Sequence, residues 1–146
     1  MTTADRIQIF HVDDESRLTD VVATFLEHES DRFEVRSAHS PEEGRKALSE
    51  FDIDCVVSDY EMPTENGIEF LESVRRTHPE LPFILFTGKD YEVISENTFP
   101  AQVTGYLQKT TGTEQYAVLA SLIQNAVERT AVDRERDRAF ERIQPV

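Results

Sequence analysis

Apolar residues in this chain fall into short unbroken runs, separated by stretches in which they recur every three or four positions. Ile7-Gln8-Ile9-Phe10-His11-Val12 reads as a strand that stops at Asp13-Asp14, and Leu18, Val21, Val22, Phe25 and Leu26 follow at helical spacing. Phe33-Glu34-Val35 opens a second strand that ends near Ala38. Ser40-Pro41-Glu42-Glu43 is a helix start: Ser40 as N-cap, Pro41 in the first helical position, Glu43 closing a capping box. Ala47, Leu48 and Phe51 carry the apolar face of that helix.

Cys55-Val56-Val57-Ser58 is a third strand ending at Asp59, and the loop from Met62 to Gly67 leads into a helix marked by Ile68, Leu71 and Val74. Phe83-Ile84-Leu85-Phe86 is a fourth strand, ending at Thr87-Gly88, and a weak helix is expected over Tyr91–Asn97. Gly105-Tyr106-Leu107 is a short fifth strand ending near Lys109. The last helix starts at Thr113 or Glu114 and carries Val118, Leu119, Leu122, Ile123, Ala126 and Val127.

Five strand–helix units follow from this pattern. Strands that read as continuous apolar runs belong in a parallel sheet covered by helices on both faces. Right-handed crossovers then give an α/β, doubly wound sandwich, with its ligand site beyond the carboxyl ends of the strands.

Composition narrows the function. The 146 residues fit one domain, and no run approaches the roughly 20 apolar residues of a membrane helix. No signal peptide is expected, and a cytoplasmic protein is. A single cysteine, Cys55, excludes an internal disulfide, and its apolar neighbours point to burial. The formal charge of −14 argues against direct nucleic-acid binding, which needs clustered basic charge. The acidic excess is spread along the chain, as suits a surface made for high salt; a basic partner is the other reading. Only three of the 15 basic residues are lysines, so Lys109 stands out.

The carboxyl ends of the expected strands carry the chemistry. The first delivers Asp13 and Asp14, the third Asp59, the fourth Thr87 and the fifth Lys109. Three carboxylates at one edge repel unless a cation sits among them. Hard oxygen ligands with no His or Cys beside them suit Mg2+, and a lysine and a hydroxyl nearby could hold a phosphoryl group. Read from the residues alone, this is a metal-assisted phosphoryl site with a carboxylate as possible nucleophile.

Asp13-Asp14, Asp59-Tyr60-Glu61-Met62-Pro63 with Gly67, Thr87-Gly88, and Tyr106 with Lys109 together resemble the response-regulator receiver family of two-component signalling, from about Ile7 to Val127. The acidity is of a haloarchaeal kind. The resemblance implies a flavodoxin-like five-stranded sheet in the order 2-1-3-4-5, with an extended C-terminal helix. It implies that Asp59 accepts a phosphoryl group from a histidine kinase, and that Mg2+ is held by Asp14, Asp59 and the main-chain carbonyl of Glu61. Asp13 would act through a metal-bound water. Lys109 would pair with one phosphoryl oxygen, Thr87 would bond another, and Tyr106 would be the switch aromatic that turns inward. The readout surface would be the fourth helix, fifth strand and fifth helix, addressed to a downstream protein or a C-terminal output domain, with homodimerisation open.

Each role has a plainer rival. Asp13 or Asp14 could cap the first helix, Thr87-Gly88 could be an ordinary turn, Tyr106 fixed packing, and Lys109 a free surface lysine. His11 reads as a packed or hydrogen-bonded strand residue rather than a ligand. His28-Glu29 is not followed by the rest of a kinase phosphohistidine box.

Two departures from the family pattern stand out. Family members carry proline after the lysine; here Thr110 predicts a trans bond and a looser Thr110-Thr111-Gly112 loop. Glu61 and Lys89, two residues beyond Asp59 and Thr87, are expected to pair across the pocket mouth and slow hydrolysis of the acyl phosphate. The tail departs too. Residues 1–129 read as the receiver unit and 130–146 as a helical extension or linker, with no DNA-binding output domain expected. Asp133, Asp137 and Glu141 run beside Arg134, Arg138 and Arg142, predicting pairs such as Arg134–Asp137 and Glu135–Arg138.

Two rival functions remain: a haloacid-dehalogenase-like, Mg2+-dependent phosphohydrolase with an Asp nucleophile, and a receiver-shaped module that never takes phosphate. The hydrolase family wants a second Asp two residues after the nucleophile, where this chain has Glu61. Neither a dinucleotide fingerprint nor a P-loop is present.

Overall fold

The computed structural model of the protein describes residues 6–95 and 103–143. Five strands, β1 (Ile7–Val12), β2 (Phe33–Ala38), β3 (Cys55–Ser58), β4 (Phe83–Thr87) and β5 (Gly105–Gln108), form one parallel sheet in the order β2-β1-β3-β4-β5. Between them run α1 (Ser16–Glu29), α2 (Pro41–Glu50), α3 (Gly67–Thr77) and α4 (Tyr91–Ser95), and α5 (Glu114–Ile143) closes the chain. The expected end of α4 at Asn97 lies outside the described residues.

Alternation within each strand divides the core in two, because successive side chains leave a strand on opposite faces. Ile7, Ile9, Cys55, Val57, Ile84 and Phe86 pack with Val22, Leu26, Leu119 and Ile123 of α1 and α5. Phe10, Val12, Val56, Phe83 and Leu85 pack with Leu48, Phe70, Leu71, Val74 and Ile94 of α2, α3 and α4. Cys55 is buried, as expected, and burial pushes its thiol up.

Several helical positions sit differently from their periodicity. Val21 and Val118 fall on the edge of their stripes and are exposed. Phe51 is the C-cap of α2 rather than part of its buried face, and its exposed ring lies under the Arg36 guanidinium at 4.1 Å. Ser40 caps α2 by accepting from the Glu43 amide at 3.2 Å. Glu43, however, accepts from the amide of His39 at 2.7 Å, one residue before the cap. The complete capping box belongs to α3: Asn66 accepts from the Ile68 and Glu69 amides, and the Glu69 carboxylate accepts from the Asn66 amide.

α5 runs unbroken past Arg129, and the Thr130 hydroxyl donates to the Ala126 carbonyl at 2.9 Å across that point. On the tail the pairing is shifted from the expected one. Arg136 meets Asp133 at 2.8 Å, and Arg134 turns toward Glu80 after α3 at 3.8 Å. Proximity to the domain body gives Arg134 a partner that the helical repeat does not contain.

Candidate functional site

The carboxyl ends of β1, β3 and β5 meet at one hollow because the sheet order sets β1 beside β3, with β5 two strands further on, beyond β4. One oxygen each of Asp13, Asp14 and Asp59 lies within 4.8 Å of the others. Asp13 is fully buried, Asp59 half-buried and Asp14 exposed.

Lys109 supplies the cation among these carboxylates. Its Nζ donates to Asp13 Oδ2 at 2.9 Å and to Asp59 Oδ2 at 3.4 Å, and lies 5.6 Å from the centre of the Phe86 ring. Burial alone would lower the Lys109 ammonium; the hydrogen bond to Asp13 and the charges of Asp59 and Asp13 outweigh it and raise it. Lys109 is therefore no free surface lysine. The second oxygen of Asp13 accepts from the Glu15 amide at 2.9 Å, so both its oxygens are engaged inside the protein. Glu15 stands at the N-cap of α1 without a side-chain cap bond, and Asp13 shapes the turn two residues ahead of it.

Asp59 accepts from its neighbour's amide, Tyr60, at 2.7 Å. Gly67 is required close behind it: a Cβ there would meet the Asp59 carbonyl oxygen at 2.3 Å. Its amide donates to the Tyr60 carbonyl at 2.8 Å, closing the β3–α3 loop onto the start of α3. An open pocket of about 400 Å³ lies beside the carboxylates, lined by Asp14, Glu15, Asp59, Tyr60, Glu61, Met62, Pro63 and Asn66.

Thr87 ends β4 buried, its hydroxyl accepting from the Lys89 amide at 3.4 Å. Tyr106 is half-buried; its hydroxyl donates to the Lys89 carbonyl and its ring meets Tyr91 edge-on at 5.4 Å. Burial and then the charge of Asp90 raise the Tyr106 phenol. Lys89 and Glu61 pair at 2.7 Å across the mouth, as expected, and the hydrogen bond to Glu61 raises the Lys89 ammonium.

The loop after Lys109 is a correction. No cis peptide bond occurs among the described residues, so the trans expectation holds, but the loop is not loose. The Gln115 side chain accepts from the Thr110 amide at 2.9 Å and donates to the carbonyls of Thr110 at 2.9 Å and Gly112 at 2.7 Å.

Other groups that shape the site escaped the sequence reading. Arg45 on α2 reaches Glu65 of the β3–α3 loop at 2.7 Å and Ser73 of α3 at 3.3 Å. Gln108 donates to the Gly88 carbonyl at 3.2 Å and to Asp90 at 2.9 Å. Only the Asn66-x-x-Glu69 capping box had a signal legible in one dimension. His11 is packed as expected, fully buried, but neither ring nitrogen has a hydrogen-bonding partner among the described residues.

The comparisons with known proteins agree with this fold. A family model described as the response regulator receiver domain matches residues 9–120. The response regulator SaeR of Staphylococcus aureus (strain USA300) is 36% identical over 81 residues, which are 56% of this chain and 34% of that protein. The chain thus spans about a third of the length of the curated relatives it matches. Among solved structures, a response regulator receiver domain protein from Clostridium thermocellum superposes with a TM-score of 0.75 at 26% identity, covering 86% of this chain and 98% of its own. The response regulator TrrA from Thermotoga maritima, in complex with Mg2+-BeF, has a TM-score of 0.70 at 23% identity, covering 80% and 98%.

Proposed function

This chain belongs to the response regulator receiver family, a family of signalling phospho-acceptors, and on that premise we propose that Asp59 is the residue that takes the phosphoryl group. The observation that carries the reading is the convergence of Asp13, Asp14, Asp59 and Lys109 on one hollow from positions up to 96 residues apart.

A carboxylate oxygen of Asp59 attacks the phosphorus of a kinase phosphohistidine. The P–N bond breaks with its electron pair staying on the imidazole, and an aspartyl phosphate forms. The transferring group carries charge on its equatorial oxygens, so catalysis is mostly positioning and electrostatic stabilisation. The Lys109 ammonium, already beside Asp59, neutralises one of those oxygens. Thr87 offers a hydroxyl to another.

The donor set fits Mg2+: hard carboxylate oxygens within 4.8 Å of one another, with no sulfur or imidazole among them. Asp14, Asp59 and the Glu61 carbonyl would hold the ion, which when bound supplies charge neutralisation for the phosphoryl group. Asp13, whose oxygens face Lys109 and the Glu15 amide, acts through water instead. Tyr106 and Thr87 flank Lys89, so a hydroxyl drawn toward phosphate disturbs the β4–α4 loop that holds the tyrosine.

We take residues 1–129 as the receiver unit and 130–146 as an extension or linker, helical to Ile143 among the described residues. The partners are a histidine kinase and a downstream protein or output domain, with homodimerisation through the last helix and its neighbours as a further contact. We place the protein in the cytoplasm; among the described residues no helix is long and apolar enough to cross a membrane. The acidic surface suits a salt-rich cytosol.

The test is incubation with Mg2+ and acetyl phosphate, followed by intact-mass and peptide mass spectrometry, with Asp59→Asn as control. A phosphoryl adduct on Asp59 that persists for minutes is expected. Rapid turnover of the phosphodonor without accumulation would mean a phosphohydrolase, and no adduct at all would mean an inert module.

A further inference from the structure

Lys109 is useful only if its ammonium stays over Asp13 and Asp59, and its backbone leaves the sheet there. On one side the backbone is anchored: the Lys109 amide donates to the Thr87 carbonyl at 2.8 Å, the last rung between β4 and β5. On the other side the chain enters Thr110-Thr111-Gly112, a loop without proline. Nothing in its own composition holds that loop still.

The brace comes from α5. Gln115 stands in the first turn of that helix, half-buried, and its amide group makes three hydrogen bonds to the loop. Its oxygen accepts from the Thr110 amide, and its nitrogen donates to the carbonyls of Thr110 and Gly112. A primary amide accepts through its oxygen and donates through its nitrogen at once, so it closes on both backbone polar groups of the residue next to Lys109.

Gln115 is itself well founded. The next residue, Tyr116, is buried, stacks on Phe25 at 4.8 Å and meets Phe86 edge-on at 6.2 Å. Phe86 is also the ring beneath the Lys109 ammonium. The first turn of α5 is thus keyed into the core directly under the lysine that Gln115 steadies.

We propose that Gln115 is a positioning residue for phosphoryl transfer, holding Lys109 over the Asp13–Asp59 pair by bracing the 110–112 loop against α5. The inference rests on the reading of Asp59 as phospho-acceptor. It makes Gln115 the counterpart in this chain of the conformational restraint that a proline after the lysine would impose through its fixed φ. A loose loop would let the ammonium wander by an ångström or so, and displacements of that size cost rate without unfolding anything.

Two readouts on Gln115→Ala test this. The first is the initial rate of Asp59 adduct formation from acetyl phosphate with Mg2+, compared with the parent and with Leu48→Val, a change in the opposite core layer that lowers stability without touching the loop. The second is amide hydrogen exchange at residues 110–112. The expected result is a rate about five- to tenfold below the parent, faster exchange confined to the loop, and a parent-like rate in Leu48→Val. A parent-like rate in Gln115→Ala overturns the proposal, as does an equal loss in Leu48→Val at matched melting temperature. A parent protein that takes no phosphate overturns the functional reading itself, and exchange at 110–112 then still reports whether the brace exists.

Discussion

Asp13 Oδ2 and Lys109 Nζ, 96 residues apart in sequence, stand 2.9 Å from each other, with the carboxylate wholly buried and the ammonium largely so. Removing one member of such a pair strands a charge in low dielectric. Lys109→Met is expected to destabilise the protein by about 2–4 kcal/mol in urea titrations. Millimolar Mg2+ should recover more stability in the variant than in the parent, since a cation again sits beside the carboxylates. A variant as stable as the parent without the ion would show that Asp13 does not depend on this lysine.

Glu61, which lines the pocket, forms an exposed ion pair with Lys89 at 2.7 Å at the pocket mouth. The pair stands on one approach of water to a phosphoryl group on Asp59. Lys89→Ala is expected to shorten the phosphorylated lifetime by roughly two- to fivefold, the scale of an exposed pair. The decay of the adduct after removal of phosphodonor measures it, and an unchanged half-life removes the pair from the mechanism.

Thr64 has φ 68°, the one positive value at a non-glycine residue among those described. A β-branched residue is disfavoured there, whereas Asn enters the left-handed region readily. Thr64 is exposed, so substitution costs little packing. Thr64→Asn should stabilise the protein by about 0.5–1 kcal/mol, visible as a higher melting temperature. A lower one would mean that the threonine side chain holds the loop.

Burial lowers His11 from 6.5 to about 4; among the charged groups facing it, Asp13 raises it while Lys109 and His39 lower it further. Between those two values the unfolded chain binds a proton that the folded chain refuses. The contribution to stability is therefore complete above pH 6.5 and falls as the pH drops toward 4, by up to about 3 kcal/mol. Comparing His11→Leu with the parent isolates this from the protonation of the carboxylates. The variant should be less sensitive across that window and about 1 kcal/mol more stable at pH 7, having lost two unpartnered buried nitrogens. Identical pH dependence in both proteins would refute the assignment.

With a formal charge of −14, self-repulsion opposes the compact state, and salt screens it within about 3 Å at 1 M. The urea midpoint is expected to rise between about 0.1 M and 1 M KCl. A flat or falling midpoint would leave the acidic surface to a basic partner.

Periodicity and end-of-strand chemistry alone determined much of this protein. Unbroken runs such as Cys55–Ser58 and Phe83–Phe86 read as interior parallel strands, and Asp13, Asp14, Asp59, Thr87 and Lys109 lie at or just past the carboxyl ends of strands. These are local properties, written in neighbours a few positions apart. Stripe edges were less legible, because whether Val21, Phe51 or Val118 is covered depends on what lies opposite, and all three are exposed, Phe51 with only the Arg36 guanidinium described over its ring.

Only the tertiary structure decided which groups meet. That Lys109 bonds Asp13 more closely than Asp59, that Arg45 reaches Glu65 and that Arg134 turns to Glu80 depend on crossovers bringing distant segments within a few ångströms. The same holds for the loop after Lys109. Thr110 in place of proline spelled looseness in the sequence, whereas a glutamine on the next helix holds the loop by three hydrogen bonds. Residue type tells what a side chain can bond; its partner is set by where the rest of the chain has been folded.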